Sequence, residues 1–184
     1  MSARLEAISF ARDMWSLPVV QRFECGQELW EREIGDWLRA DPQTNFGAAF
    51  DVSNAICRVW LFTDEDALVG VGSIGPTFAS WPKPNSKQKF PATAIPWLAV
   101  DTHHQRKGYG RQILEYLLAE ASALKATNRF VVLSVHVGNR AVLDWYRREN
   151  FVEFGNPRID SDNGQTYQRM ILDLKDFDTS SLTI

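Results

Sequence analysis

Two apolar segments on either side of an amphipathic helix constrain the fold of this chain more than any other feature of its sequence. Ile95–Val100 and Phe130–Val137 are continuous apolar runs of strand length. Between them, Arg111–Leu124 repeats its apolar residues at helical spacing over about four turns. Strand, helix and strand at this spacing predict a right-handed crossover with parallel strands. Pro96 predicts a bulge or a missing ladder bond in the first strand.

The remaining patterns predict two further helices, a hairpin, a long loop and two more strands. Gln27–Arg39 places its tryptophans and isoleucine on one face, as an amphipathic helix does. Gly75–Pro91 contains four prolines and three lysines, so we expect a surface loop insertion there. The other predicted elements are a hairpin of Ile56–Phe62 and Leu68–Ile74, a helix over Asn139–Glu149, and strands over Phe151–Phe154 and Tyr167–Leu174.

Length and charge narrow the class of protein. With 184 residues, we expect a single domain over residues 1–184. The 23 acidic and 20 basic residues give a formal net charge of −3, which offers no global attraction to nucleic acid or an anionic membrane. No export leader and no apolar stretch of about 20 residues is apparent, so we expect a soluble, cytoplasmic protein without membrane contact.

The two cysteines, Cys25 and Cys57, lie far apart, without a CxxC pair or clustered histidines. This pattern supports neither a disulfide framework nor a zinc site. We therefore expect two reduced thiols and no metal.

A glycine pair stands where the first predicted parallel strand meets its helix, in Gln105–Arg111. Glycine lets the backbone approach an anion closely, and the free N–H groups of a helix's first turn lie at the positive end of its dipole. Gly108 and Gly110 therefore predict a pyrophosphate cradle. The charge that a 3′-phosphorylated ADP would need is supplied by Arg106, Lys107 and Arg111.

The segment Leu98–Gly110 resembles the acetyl-CoA signature of the GNAT superfamily of N-acetyltransferases, with a complete Q-x-x-G-x-G core. Asn139, at the start of a predicted helix, and Tyr146 resemble the asparagine and the tyrosine of that family. Asn150 stands where the family has glycine, and asparagine also enters the left-handed conformation at a helix end. We expect Ile95–Phe154, which the motifs span, to form the acetyl-CoA-binding core.

This resemblance implies a GNAT fold and an acetyl-CoA-dependent acetyltransferase. The family fold is α/β, a mixed and mostly antiparallel sheet with helices on both faces and a V-shaped splay between two central parallel strands. The family reaction transfers acetyl from acetyl-CoA, a cosubstrate, to a primary amine. We expect direct attack by the amine, because no Cys or Ser lies in a recognisable nucleophile setting.

The resemblance also implies roles for individual residues. The amides of Leu98 and Val100 pair with the pantetheine arm, and the Leu98 N–H stabilises the oxyanion of the tetrahedral intermediate. Asn139 contacts the cofactor or orients the acceptor, and Tyr146 protonates the leaving thiolate unless it is merely a core tyrosine. The catalytic candidates are Tyr146, Leu98 and Asn139. The cofactor-binding set is Leu98, Ala99, Val100, Gln105, Arg106, Lys107, Gly108, Tyr109, Gly110, Arg111, Asn139 and Tyr146.

Other motifs favour structural roles. Gly70–Gly75 matches G-x-G-x-x-G but lies in a predicted strand that runs into Pro76, where a dinucleotide site needs a helix. Small residues beside a cofactor groove explain the match better. His103 and His104 are expected at the surface, whereas His136 is either a base or a packed, hydrogen-bonded strand residue.

The chemistry of the acceptor stays open at this level. Many GNAT enzymes carry a Glu in the strand before the cradle, but Ile95–Leu98 contains no acidic residue. A water chain can deprotonate an α-amine, of pKa about 8, without a carboxylate base, whereas a lysine-like amine needs more help. The net charge favours a small amine or a peptide N-terminus.

Two alternatives compete with that choice. Phe23–Gly26, ahead of the helix containing Trp37, resembles the opening of GNAT toxins that acetylate the amino acid on charged tRNA. The lysines that could contact RNA are Lys83, Lys87 and Lys89. The other alternative is a GNAT-fold module that binds CoA without turnover. A monomer and a homodimer are both compatible with the sequence.

Overall fold

The computed structural model of the protein describes residues 5–80, 88–125 and 127–175. Its strands are β1 Glu6–Ser9, β2 Arg58–Asp64, β3 Ala67–Ser80, β4 Lys89–Ala94, β5 Leu98–Val100, β6 Phe130–His136, β7 Val152–Glu153, β8 Arg158–Ile159 and β9 Thr166–Asp173. Its helices are α1 Pro18–Gln21, α2 Leu29–Arg39, α3 Ala48–Ser53, α4 Tyr109–Ala123 and α5 Arg140–Arg148, with 3₁₀ turns at Arg12–Ser16, Pro42–Thr44 and Thr102–His104.

The strands pair into a mixed sheet in which antiparallel neighbours predominate. Their hydrogen-bonded order is β1–β2–β3–β4–β6–β9–β7, with β5 on β3 and β8 on β9. The β4–β6 pair is parallel, whereas the β1–β2, β2–β3, β3–β5, β6–β9, β7–β9 and β8–β9 pairs are antiparallel. The predicted α/β class with a mixed, mostly antiparallel sheet is therefore confirmed.

The chain forms two compact units, one of Met1–Gly75 and Trp97–Leu117 and one of Pro76–Pro96 and Leu118–Ile184. Both β3 and α4 contribute residues to each unit, so no linker separates the units along the chain. Each unit has its own buried cluster. The single domain predicted over residues 1–184 stays a prediction.

In the first unit, helices cover both faces of β3. Val71 belongs to a buried cluster with Trp37 of α2 and Ala48 of α3. Gly70 and Gly72 lie on the opposite face, because successive strand residues alternate, and there they meet side chains of α4. Helices on both faces, as predicted, are confirmed for this unit.

Gly70 and Gly72 lack side chains because α4 packs directly on them. A Cβ atom at Gly72 would lie 2.9 Å from Cδ1 of Leu117, and one at Gly70 would lie 2.7 Å from the carbonyl oxygen of Ala99. Both separations are shorter than an ordinary van der Waals contact. The G-x-G-x-x-G match therefore serves close packing. The glycines pair with Val100 and Leu98 of β5, and their place beside a cofactor groove stays a prediction.

The helix predicted over Gln27–Arg39 is confirmed as α2. Its first turn is stabilised by the Glu31 carboxylate, which accepts a hydrogen bond from the Glu28 N–H at 3.0 Å. Its apolar face is buried in the cluster of the first unit. The Trp37 indole N–H donates to the Asp51 carboxylate of α3 at 2.8 Å, which satisfies the polar atom of a buried ring.

The parallel pair involves a different stretch of chain from the one predicted. The prediction that Ile95–Val100 is the parallel partner of β6 is wrong, because β4 pairs with β6 instead. The Ile95 N–H donates to the Val132 carbonyl at 2.9 Å, just beyond the ladder. Pro96 has no N–H with which to extend the ladder, so the strand breaks there. The chain resumes as β5, which pairs antiparallel with β3.

The loop expected over Gly75–Pro91 is wrong at both ends, because β3 extends into this range and β4 begins before its end. Phe78 is exposed and Ala79 is buried, as expected for a strand with one covered face. Burial of that face explains why this stretch forms a strand and not a loop. Proline's extended φ is compatible with a strand where its missing N–H is not needed. Residues 81–87 of the expected loop lie outside the described residues.

The other elements predicted from periodicity are also present. The hairpin of β2 and β3, α4, β6, α5, β7 and β9 all agree with their predicted positions to within a few residues, although β3 is longer. Around β6, a buried cluster joins Phe130, Val132, Phe154 and Ile171. The Arg129 guanidinium forms an ion pair with the Asp173 carboxylate at the start of the β6–β9 pair. Among the described residues, no helix is long and apolar enough to cross a membrane.

We predict that alkaline unfolding depends on two buried thiols. Burial raises the pKa of Cys25 and of Cys57 from 9.0 to about 12. Stability from this source is complete below pH 9 and is lost as the pH rises toward 12, because the unfolded chain releases thiol protons that the folded chain keeps. The unfolding free energy should fall by up to about 1.4 kcal/mol per pH unit for each thiol.

The measurement is denaturant unfolding of the reduced protein between pH 7 and pH 11. The Cys25→Ala, Cys57→Ala double variant serves as the comparison, since its remaining titrations are those of the parent. It should be less stable at pH 7 but lose less stability as the pH rises. Equal slopes in the two proteins would contradict this prediction.

Candidate active site

The turn before α4 presents a row of unused backbone donors. The amides from Gln105 to Gly110 donate to no group within the described residues. The ladder of α4 starts only afterwards, with the Arg111 and Gln112 N–H groups donating to the Gly108 carbonyl at 3.2 and 3.3 Å. Free amides ahead of a 15-residue helix form an anion site at the positive end of the helix dipole.

Gly108 gives this turn both its conformation and its open space. Its φ of +87° lies in the left-handed region, and a Cβ atom built on it would meet nothing within 4 Å. Arg106 is also left-handed, at φ +61°, so two of three consecutive residues in this turn have positive φ. The arrangement fits the pyrophosphate cradle that the sequence predicts, because the backbone is exposed where an anion has to approach.

The three predicted basic residues have different surroundings. Arg106 and Lys107 are exposed, and neither forms an ion pair within the described residues. The Arg111 guanidinium lies 3.1 Å from the Glu115 carboxylate one turn along α4, and both side chains are largely exposed. Such a surface pair is worth about 0–1 kcal/mol, so Arg111 can exchange Glu115 for a phosphate at little cost.

Alternation along β5 determines which backbone groups face away from β3. The Asp101 N–H donates to the Val69 carbonyl, and the Trp97 carbonyl accepts from Ser73, each at 2.9 Å. In this register Ala99 is the hydrogen-bonded residue between them. The amides of Leu98 and Val100 therefore point away from β3, as the pantetheine pairing predicted for them requires.

Ala99 differs from the other residues of the predicted cofactor set. Its backbone groups are directed at Val71 of β3, and its methyl group is buried in the cluster of the first unit. Its backbone N–H therefore points toward β3 and not toward the edge that Leu98 and Val100 leave open. The backbone groups of Ala99 are engaged by its antiparallel partner, and its place in the cofactor-binding set stays a prediction.

The cradle is tied to the segment that precedes α2. The Gln105 side-chain amide donates to the carbonyls of Cys25 at 2.9 Å and Val100 at 3.1 Å. The buried Asp101 carboxylate accepts from the Glu24 N–H at 3.2 Å, and the Thr102 N–H donates to the Glu24 carbonyl at 2.7 Å. Sequence reasoning missed this contact, because it joins residues about 80 positions apart.

Tyr109 is held by a carboxylate that sequence reasoning also missed. Its hydroxyl donates to the Asp64 carboxylate at the end of β2, and the ring is buried. This hydrogen bond raises the pKa of Tyr109 above its ordinary value. Since Tyr109 directly follows Gly108, the bond fixes the start of α4 to the β2–β3 hairpin. An acidic residue in a predicted hairpin turn was the available signal.

In the second unit, Tyr146 lies on the buried face of α5. Its ring is 5% exposed and contacts Trp145 and Phe151, with centroids 4.6 and 5.3 Å away. Within the described residues no group forms a hydrogen bond with its hydroxyl. Burial raises the pKa of Tyr146 above its ordinary value. The group is therefore a protonated phenol throughout the physiological pH range.

Asn139 and Asn150 occupy the two ends of α5. The Asn139 side chain caps the helix, its oxygen accepting from the Val142 N–H at 3.4 Å. This confirms the predicted helix start and gives Asn139 a structural role besides the one that the resemblance implies. Asn150 has a φ of +66°, which confirms the left-handed conformation predicted where the family has glycine.

The three histidines separate into surface and packed residues. The His103 side chain is 82% exposed beside Asp101, as predicted, whereas His104 is half-buried with its ring 6.2 Å from that of Tyr109. His136 accepts the Gly138 N–H at its Nδ1 and packs on Tyr167, which favours the packed alternative. In the described ranges, no group of three or more His, Cys, Asp or Glu residues could hold a metal ion.

Comparison with known proteins gives a family and a set of similar folds. The family model described as "Acetyltransferase (GNAT) family" matches residues 13–151, which is more than half of the chain. No curated protein matches the sequence significantly. Many solved structures match, and several share the fold of this chain at low sequence identity.

A structure described as that of a bacterial toxin has a TM-score of 0.70 and 15% identity, over 93% of this chain and 91% of that chain. AtaT complexed with acetyl-methionyl-tRNAfMet has a TM-score of 0.68 and 15% identity, over 93% and 95%. An AtaT mutant bound to the C-terminus of the antitoxin AtaR and acetyl-CoA has a TM-score of 0.65 and 14% identity, over 93% and 94%. At these identities the likeness shows the fold alone.

We predict that Gly108→Glu abolishes acetyl-CoA binding and leaves the chain folded. The new side chain would fill the open space of the cradle and place a negative charge where phosphate binds, while the left-handed φ adds about 1 kcal/mol of strain. Gly164→Glu is a matched control, because Gly164 has a φ of +69° and also nothing within 4 Å of an added Cβ. Calorimetry should show no acetyl-CoA binding for Gly108→Glu and parental binding for Gly164→Glu. Unchanged affinity in a folded Gly108→Glu variant would overturn the cradle.

Proposed function

The chain belongs to the GNAT family of acetyltransferases, and on this premise we propose that it moves acetyl from acetyl-CoA directly to a primary amine of a small molecule or a peptide N-terminus. The observation that carries the proposal is the row of six free amides from Gln105 to Gly110, in the turn before α4 and in the first two residues of that helix. A row of backbone donors at a helix start suits a pyrophosphate, because each N–H can meet one of its oxygens.

The acceptor amine begins the reaction in its neutral form. Its nitrogen attacks the thioester carbonyl carbon, a C–N bond forms, and the carbonyl oxygen takes up the displaced electron pair. The Leu98 N–H, which points away from β3, donates a hydrogen bond to this oxygen. One such donor, aimed at charge that develops in the transition state, accounts for about 10²- to 10³-fold in rate.

Tyr146 acts on the leaving group. As the oxyanion collapses, the C–S bond breaks and the sulfur leaves with the electron pair, and the Tyr146 hydroxyl donates its proton to that sulfur. The amine nitrogen gives up a proton to water, and water returns one to the phenolate. Burial raises the pKa of Tyr146, so the phenol keeps its proton until negative charge develops on the leaving sulfur.

The charge around α2 supports a cationic or neutral amine as the acceptor. From Glu24 to Asp41 the chain carries six acidic and two basic residues. One of these two, Arg39, already pairs with Asp36 at 3.1 Å and donates to the Phe23 carbonyl. This segment is the one tied to the cradle through Gln105. Its negative field attracts ammonium groups and repels phosphate backbones.

Aminoacyl-tRNA is the second candidate acceptor, because the fold matches AtaT, a protein solved with acetyl-methionyl-tRNAfMet. The sequence of Phe23–Gly26 resembles the opening of such toxins. Among the loop lysines suited to RNA, Lys89 is exposed, and Lys83 and Lys87 lie outside the described residues. The α-amine on a charged tRNA has the same chemistry as a peptide N-terminus, so both candidates use the same catalytic residues.

We predict that Tyr146→Phe keeps acetyl-CoA affinity and lowers kcat by about 10²-fold, the lower range of general-acid catalysis. Tyr167→Phe is the matched control, because it removes from β9 a hydroxyl that accepts a hydrogen bond from the Asn163 side chain at 3.2 Å. Because the pKa of Tyr146 is raised, the ratio of parent to variant kcat should stay constant from pH 7 to pH 10. Turnover within threefold of the parent would show that Tyr146 is only a core residue.

We predict that the enzyme acetylates cationic amines or peptide N-termini and leaves charged tRNA unlabelled. Radiolabelled acetyl-CoA is offered with polyamines, amino acids, aminoglycosides, peptides and total aminoacyl-tRNA at low and moderate salt. The Glu24→Gln, Glu28→Gln variant should raise the KM of a polyamine by about threefold, the scale of exposed charge interactions. The Asp160→Asn, Asp162→Asn variant, which changes two acids in the second unit, should leave it unchanged.

Label on aminoacyl-tRNA that weakens as salt rises would overturn this choice of acceptor and favour the second candidate. Removal of Lys83, Lys87 and Lys89 should then reduce the labelling, because each phosphate contact contributes to the salt dependence. Labelling of neither class, with acetyl-CoA binding intact, would favour a binding module without turnover.

A further inference from the structure

A buried serine on β3 holds the chain at the point where β5 begins. Ser73 is 0% exposed, and its N–H donates to the Trp97 carbonyl at 2.9 Å. Its hydroxyl accepts from the Trp97 N–H at 3.1 Å and lies 3.5 Å from the Trp97 carbonyl oxygen. Both backbone groups of Trp97 are thus held by one residue. A buried hydroxyl in a strand has to be hydrogen-bonded to be tolerated, and this one is.

We propose that Ser73 is a positioning residue that aims the Leu98 amide at the thioester carbonyl. The inference rests on the proposed function, in which the Leu98 N–H stabilises the oxyanion. The inference concerns how the Leu98 N–H is held in place. The family motif does not specify this, because Ser73 lies 25 residues before Leu98 on another strand.

Peptide planarity links the two residues. The Trp97 carbonyl and the Leu98 N–H belong to one trans peptide unit, in which the two groups point in opposite directions. Ser73 holds the carbonyl toward β3. The Leu98 N–H is therefore directed away from β3, with an orientation set by the same hydrogen bond.

The hydroxyl replaces a bond that a regular ladder would make. At an antiparallel hydrogen-bonded pair, each residue donates its N–H to the other's carbonyl. Here the Trp97 N–H donates to the Ser73 hydroxyl instead, directly after Pro96, where the strand is irregular. The side-chain oxygen thus reaches an amide that the displaced backbone no longer brings to the Ser73 carbonyl.

Without the hydroxyl, the Trp97 N–H would be left without its partner. An amide that loses its hydrogen-bond partner inside the protein is unfavourable, and the chain around it relaxes to find another one. Any rotation of the Trp97–Leu98 peptide unit moves the Leu98 N–H by the same angle. A hydrogen bond to a developing oxyanion depends steeply on that direction, so acetyl-CoA binding should persist while turnover falls.

The test compares Ser73→Ala with the isosteric pair Ser73→Thr and Ser73→Val, since Thr keeps the hydroxyl and Val does not. Ser73→Ala and Ser73→Val should lose about 10-fold or more in kcat, with the KM for acetyl-CoA within about twofold of the parent. Ser73→Thr should retain most of the parental kcat. If the larger residues prevent folding, Ser73→Ala alone decides the kinetic part.

Isotope-edited infrared spectra of acetyl-CoA carrying a ¹³C carbonyl provide a readout that lost packing would not change. In the parent the bound thioester band should lie below its position in water, and Ser73→Ala should return it toward that position. Three outcomes would overturn the role of Ser73. The first is a band that is shifted in the parent and stays unchanged in Ser73→Ala, and the second is an unchanged kcat in Ser73→Ala. The third is an equal loss of kcat in Ser73→Thr and Ser73→Val while Ser73→Ala keeps the parental kcat. No band shift in the parent would instead overturn the role of Leu98 in the proposed function, and the inference with it.

Discussion

The antiparallel pairing of residues 97–101 with β3 is the interaction on which the candidate site depends. It engages alternate backbone groups and leaves the amides of Leu98 and Val100 on the other edge of the strand. The same strand leads directly into the turn whose amides, from Gln105 to Gly110, are unused. In the proposed function, this one continuous stretch of backbone offers donors first to the thioester arm and then to the pyrophosphate.

Glycine has two opposite uses in the first unit. At Gly70 and Gly72 the missing side chain lets α4 approach the sheet, and an added Cβ would collide with atoms 2.7 and 2.9 Å away. At Gly108 the missing side chain leaves the surface open and permits a φ of +87°. The first use stabilises the fold by close packing, and the second makes room for a ligand. A letter pattern alone does not distinguish them, because the difference lies in what stands opposite each glycine.

Charge is distributed unevenly although the chain as a whole is close to neutral. The cradle carries Arg106, Lys107 and Arg111, whereas the segment from Glu24 to Asp41 has three times as many acidic as basic residues. Hydrogen bonds from Gln105 and Thr102 hold the two regions together within the first unit. Acetyl-CoA is anionic and the proposed amine acceptor is not, so neighbouring regions of opposite sign would suit the two substrates of the proposed function.

The sequence by itself determined the periodic elements and the family, and it predicted the cradle. The helical spacing of α2, α4 and α5, the apolar runs of β6 and β9, and the Q-x-x-G-x-G core are local signals, since the residues that produce them are neighbours along the chain. Only the tertiary structure decided that β4 is the parallel partner of β6 and that the backbone of Ala99 pairs with β3. It also decided that the segments of the candidate site are held in place by hydrogen bonds to Ser73, Asp64 and Asp101. These contacts join residues between about 20 and 80 positions apart. Their partners are chosen by strand register and burial, which a single sequence does not encode locally.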